Sequence, residues 1–112
     1  MRIEIQARGF ALTQGLRAHV ERRLQFALSR FQDRLARINV HLSDVNGPRG
    51  GVDKLCQLRL CVQGLPQIVV KDTEADLYIA VDRAAERAGR LLRCKLRRAR
   101  GDFDTRLAWG DR

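Results

Sequence analysis

The chain has 112 residues, 22 Lys+Arg against 13 Asp+Glu, a formal net charge of +9 and a pI near 10.9. Its length corresponds to one domain, and its apolar fraction of 45% lies in the globular range, which excludes wholesale disorder. A pI this high excludes a neutral scaffold as the first reading and directs attention to polyanions: nucleic acid, an acidic protein or an anionic membrane surface.

Arg2 to Arg8 alternates, with Ile3, Ile5 and Ala7 on one side and Arg2, Glu4, Gln6 and Arg8 on the other, the pattern of a half-buried strand. Thr13 is positioned to cap a helix whose apolar residues Leu16, Val20, Leu24, Ala27, Leu28 and Phe31 recur at helical spacing. That helix is expected to end between Phe31 and Arg34. Ile38, Val40 and Leu42 alternate with Asn39, His41 and Ser43, a second strand. Asp44 to Gly51 is dense in turn residues. Cys56, Leu58, Leu60 and Val62 mark a third strand, Gly64-Leu65-Pro66 a tight turn, and Ile68 to Val70 a short fourth strand. Thr73 is the expected cap of a second helix with the apolar stripe Leu77, Val81, Ala84, Ala88, Leu91, Leu92 and Ala99. The helix is expected to run to about Arg98, with Gly101 ending it and residues 101–112 forming a polar tail that holds Trp109.

The order β-α-β-β-β-α, with both helices apolar on one side only, predicts an α+β sandwich of two layers. It comprises a four-stranded mixed sheet with two helices on one face, all within residues 1–100. No apolar run approaches a membrane span and the N-terminus lacks an apolar signal centre, so a cytoplasmic protein with no membrane partner is expected. Cys56, Cys61 and Cys94 lack metal or redox spacing and read as reduced packing thiols. His19 and His41 lie on different elements, and no nucleotide-binding motif occurs. No enzymatic activity, cofactor, metal or small-molecule substrate is therefore expected.

The charge is concentrated. Nineteen of the basic residues are Arg, whose planar donor fork suits phosphate and base edges. From Arg83 to Arg100 there are eight basic residues and one acid, Glu86, a local balance of +7. Arg83, Arg87, Arg90 and Arg97 follow helical spacing along one solvent face about 21 Å long, and Arg93, Lys95, Arg98 and Arg100 widen it. With Glu86 as the one acid inside the segment, like charges repel uncompensated unless a polyanion binds. On the first helix, His19, Arg22, Arg23, Phe26 and Arg30 share a flank away from Leu24 and Leu28, placing an aromatic ring among cations. Arg49, at the tip of the glycine-rich segment Asn46–Lys54, and Lys54 beyond it form a candidate second anion contact.

Leu12-Thr13-Gln14-Gly15-Leu16-Arg17-Ala18-His19-Val20 resembles the first-helix start of the ribosome hibernation-promoting factors. These are also called ribosome-associated inhibitors or sigma-54 modulation proteins. Asp76-Leu77-Tyr78-Ile79-Ala80-Val81-Asp82, followed by Arg87 and Arg90, resembles the opening of their second helix. The resemblance covers roughly residues 2–100 and fits a divergent short form. It implies the same α+β fold, the small ribosomal subunit and ribosomal RNA as partners, and a role in restraining translation or stabilising idle ribosomes under stress. By position it points to Arg17 on the first helix and to Arg87, Arg90, Arg93, Lys95, Arg97 and Arg98 on the second. The sequence departs from ribosome-binding members at Cys94 and Leu96, where Lys is usual, and in the longer, glycine-rich hairpin. A double-stranded RNA binder and a regulator of an acidic protein partner are the alternatives that the residues themselves leave open.

Overall fold

The computed structural model describes the backbone of residues 1–44 and 53–109 and the side chains of residues 1–44 and 53–99. Strand β1 (Arg2–Arg8) leads through helix α1 (Gln14–Leu28) and a 3-10 turn (Ser29–Phe31) to β2 (Leu35–Asp44). Strands β3 (Lys54–Val62) and β4 (Ile68–Glu74) follow, and helix α2 (Leu77–Trp109) completes the order. The strands form one sheet in the order β1-β2-β3-β4. β1 runs parallel to β2, with Ile5 opposite Val40, and a parallel pair needs a crossover, which α1 supplies. The other pairs are antiparallel, with Val40 opposite Leu58 and Leu58 opposite Val70. The α+β two-layer sandwich with a mixed sheet is thus the observed architecture.

The period of two along each strand sends one set of side chains under the helices. Ile38, Val40 and Leu42 of β2, Cys56, Leu58 and Leu60 of β3, and Ile68 and Val70 of β4 are buried there. α1 meets them with Leu16, Val20, Leu24 and Leu28, and α2 with Ala80, Val81, Ala84, Ala85, Ala88 and Leu92. Each buried Leu, Ile or Val contributes roughly 1.5–3 kcal/mol from its removal from water. The four alanines of α2 contribute less each, but their small size lets the helix lie close on β3 and β4. Beyond Leu92 the described side chains of α2 are exposed except Leu96, so the helix leaves the sheet there and carries Arg93, Lys95, Arg97 and Arg98 into solvent.

Thr13 caps α1 as expected, its Oγ1 accepting from the Leu16 N–H at 3.1 Å. The cap of α2 is different from the expected one. Thr73 lies in β4 opposite Leu55, and Asp76 takes the capping role, its Oδ1 accepting from the Tyr78 N–H at 2.7 Å. β4 continues four residues past Val70 because Lys71, Asp72, Thr73 and Glu74 still pair with β3 along Lys54 to Gln57. At its other end α2 passes through Gly101 to Trp109, longer than the expected stop; a single glycine costs a helix only about 1 kcal/mol and does not terminate it by itself. Ala99, expected in the apolar stripe, is exposed because no sheet lies beneath it. Gly9 adopts φ +88°, and a Cβ there would lie 2.7 Å from the Asp44 carbonyl oxygen; only glycine fits this approach of the β1 exit to the end of β2.

Candidate nucleic-acid interface

The two helices lie side by side on the sheet. At Gly89 they approach closely: a Cβ at that position would stand 3.1 Å from the Ala27 carbonyl oxygen. Further toward the start of α2, the helices are tied by Asp82. Its Oδ1 accepts from His19 Nε2 at 2.7 Å and meets Arg23 Nε at 3.1 Å. The His19 ring also packs against Tyr78, centroids 4.8 Å apart and tilted by 57°. Both partners of Asp82 come from α1, so this carboxylate on α2 links the two helices and attracts Arg23 by charge, without an aligned hydrogen bond to its Nε. The Arg23 guanidinium carbon then lies 5.7 Å from the centre of the Phe26 ring, a cation–π contact.

Between the helices runs a groove of about 350 Å³ lined by Arg23, Phe26, Ala27, Arg30, Phe31, Glu86, Gly89, Arg90 and Arg93. It adjoins a second, of about 500 Å³, lined by Arg30, Phe31, Arg34, Arg93, Leu96 and Arg97. Arg30, Phe31 and Arg93 belong to both, so the two form one channel edged by six arginines with Glu86 as its acid. Arg34 is anchored by donating to the Gln63 carbonyl at 3.1 Å. Arg30, Arg90, Arg93 and Arg97 form no ion pair with any described residue, so their donors face the channel and solvent. Converging guanidinium groups without carboxylate partners suit the phosphates of a polyanion.

The cations expected to line one stripe of α2 therefore divide into two sets. Arg83 pairs with Glu74 at 3.1 Å. Arg87 pairs with Asp72 at 3.5 Å and donates to the Lys71 carbonyl at 2.8 Å. Their acids come from β4, so the expectation that Glu86 alone compensates the stripe is corrected: β4 compensates its first half. Arg90, Arg93 and Arg97 make up the uncompensated half. Lys95 and Arg98 are exposed on the same helix outside the channel, and Arg17 is exposed at the start of α1. Arg22 is exposed on the far side of Phe26, in a groove of about 460 Å³ with Met1, Gln25, Ser29 and Gln32.

Arg49 lies outside the described residues. Lys54 is 14% exposed and held by two carboxylates, Asp53 at 2.9 Å and Asp44 at 3.1 Å. Those hydrogen bonds, the one to Asp53 foremost, raise its pKa above the usual lysine value. Lys54 thus closes the base of the β2–β3 connection. Arg30 and Arg34 are channel residues absent from the expected RNA-binding set. Arg30 carried a signal, its place on the cationic flank of α1; Arg34 sits past the helix end, where periodicity is silent. Among the described residues no group of three or more His, Cys, Asp or Glu is placed to hold a metal ion, and no helix is long and apolar enough to cross a membrane.

A mixed four-stranded sheet covered on one face by two helices, with the uncompensated cations gathered between those helices, defines a small basic α+β module. Residues 3–100 match the model of the family described as sigma 54 modulation protein / S30EA ribosomal protein, and the chain belongs to that family. The structure is similar to the crystal structure of the Thermus thermophilus Protein Y N-terminal domain. That likeness has 27% identity and a TM-score of 0.68, and covers 81% of this chain and 94% of that one. It shares its fold with a ribosomal subunit interface protein from Coxiella burnetii, at 18% identity and a TM-score of 0.71, covering 85% and 97% of the two chains. No curated protein sequence matches.

Proposed function

We propose that this protein is a non-enzymatic ribosome-associated factor that docks on the small subunit, with its α1–α2 channel against ribosomal RNA, and restrains translation by holding idle ribosomes. Its place of action is then the cytoplasm. The observation that carries this reading is the channel itself: Arg30, Arg90, Arg93 and Arg97 are unpaired among the described residues and converge between two helices of a family described in part as ribosomal. The ribosomal subunit interface protein that shares this fold is in keeping with the same direction. The largely polar outer face of the sheet, by contrast, carries no Phe, Tyr or Trp among the described residues and only the His41 ring for stacking, which favours the helical face as the RNA contact.

Co-sedimentation with isolated small subunits tests the reading. The wild-type protein pellets with the subunits at low salt and is released at high salt, whereas Arg90→Gln/Arg93→Gln/Arg97→Gln stays in the supernatant with its thermal melt unchanged. Equal pelleting of wild type and variant would remove the channel from the interface. Binding to bare duplex RNA as tight as to subunits would favour a general double-stranded RNA binder instead.

A further inference from the structure

Phe26 has an exposure that neither core packing nor charge explains. Phe10 and Phe31 pack against the core, while Phe26 is 77% exposed, well above Val69, Tyr78 and Ile79, the other exposed large apolar side chains among the described residues. Its position follows from the phase of α1. Leu16, Val20, Leu24 and Leu28 face the sheet, and residue 26 falls midway between Leu24 and Leu28 in sequence, on the opposite side. The ring therefore adds nothing to the core.

Its surroundings are specific. Phe26 forms the ridge between two grooves: the arginine channel on one side, and the groove with Arg22, Gln25, Ser29 and Gln32 on the other. Arg23 lies over the ring and is itself ion-paired with Asp82. A flat apolar surface thus stands between phosphate-binding cations and a set of amide and hydroxyl groups that both donate and accept hydrogen bonds. That is the arrangement an unpaired nucleotide requires: a face for its base, cations for its backbone and polar groups for the base edge. A helical stretch of duplex RNA, whose bases are already stacked, has no use for such a ridge.

We infer that Phe26 is a stacking platform for a single unpaired base of the bound RNA, with the adjoining phosphates in the arginine channel and the base edge toward Gln25, Ser29 and Gln32. This deepens the ribosomal-RNA reading and rests on it. The ligand is single-stranded RNA, a bulge or a loop.

The test is a short single-stranded RNA carrying 2-aminopurine, whose fluorescence is quenched on stacking, titrated with wild type, Phe26→Leu and Phe26→Tyr. Wild type and Phe26→Tyr quench the probe. Phe26→Leu keeps the apolar bulk but loses the quench, and its affinity falls between about 5-fold and about 150-fold, the range for losing one base–aromatic stack. Its salt slope stays that of wild type, because no phosphate contact is lost, and its thermal melt is unchanged. Phe26→Leu quenching and binding as wild type does would overturn the inference while leaving the channel reading intact. Failure of the wild-type protein to pellet with small subunits would overturn both. Poly-glutamate of matched charge binding as tightly as the RNA would overturn the stacking claim, since a carboxylate chain offers no base.

Discussion

The division of the α2 cations into compensated and uncompensated sets makes a quantitative prediction. Arg90, Arg93 and Arg97 face the channel without acidic partners among the described residues, whereas Arg83 and Arg87 are held by Glu74 and Asp72. Each phosphate contact contributes about 0.7–0.9 to the slope of log affinity against log salt, so replacing the first three by Gln reduces that slope by about 2–3. Over a fourfold rise in salt, the part of the wild-type loss of affinity that disappears is about twenty- to fortyfold. Replacing Arg83 and Arg87 by Gln removes charge already neutralised on the protein, and the slope changes by less than about 1. Both arginines are more than half exposed while Glu74 and Asp72 are 29% and 10% exposed, so that variant loses on the order of 1 kcal/mol of stability per pair. Fluorescence anisotropy of a labelled small-subunit RNA fragment across a KCl series, with thermal melts as the folding control, measures all of this. Equal slope changes for the two variants, or an unchanged slope for the triple variant, would refute the division.

Three other outcomes follow from the geometry. Gly9→Ala places a Cβ against the Asp44 carbonyl at positive φ and lowers stability by roughly 1–3 kcal/mol, seen as a lower Tm; an unchanged Tm would contradict the contact. Lys54→Ala removes the cation between Asp44 and Asp53, so it lowers Tm and leaves the salt slope of RNA binding untouched; a slope change would restore Lys54 as an anion contact. Burial, with a smaller effect from Asp72, pushes the Cys56 thiol from 9.0 up to about 12. Between those values the unfolded chain has lost a proton that the folded chain keeps, so stability falls as pH rises above about 9. A Cys56→Ala variant lacks that part of the alkaline decline, and thiol labelling of the native protein modifies exposed Cys94 but not Cys56.

Much of the fold was legible because its elements carry clean periods. Ile38, Val40 and Leu42 alternate against polar neighbours, and Leu16, Val20, Leu24 and Leu28 repeat every fourth residue; both sets are buried as the patterns require. The end of β4 was illegible because Lys71, Asp72, Thr73 and Glu74 are polar throughout: only pairing with β3 makes them a strand, and pairing is not a local property. For the same reason the stripe on α2 looked uncompensated. Counting acids within the helix omitted Asp72 and Glu74, which precede it in sequence and flank it in space. Spacing alone placed Arg90 and Arg97 on one stripe of α2, with Arg93 widening it. The channel was not found that way, because its other wall, Arg30 and Arg34, belongs to the turn after α1 and the residues beyond it, and no periodicity within one helix reports what the neighbouring chain brings.

Gly89 sets the width of the channel although it bears no functional group. The backbone of α1 comes within 3.1 Å of where its Cβ would be, so the spacing of the two arginine walls is determined by a missing side chain. Alanine there asks the Ala27 carbonyl to give by a few tenths of an ångström, and a bulkier side chain presses α1 and α2 apart, moving Arg23 and Arg30 relative to Arg90 and Arg93 without altering a single charge. On the proposed reading, the breadth of strand that the channel accepts is therefore adjustable at one position that touches no ligand.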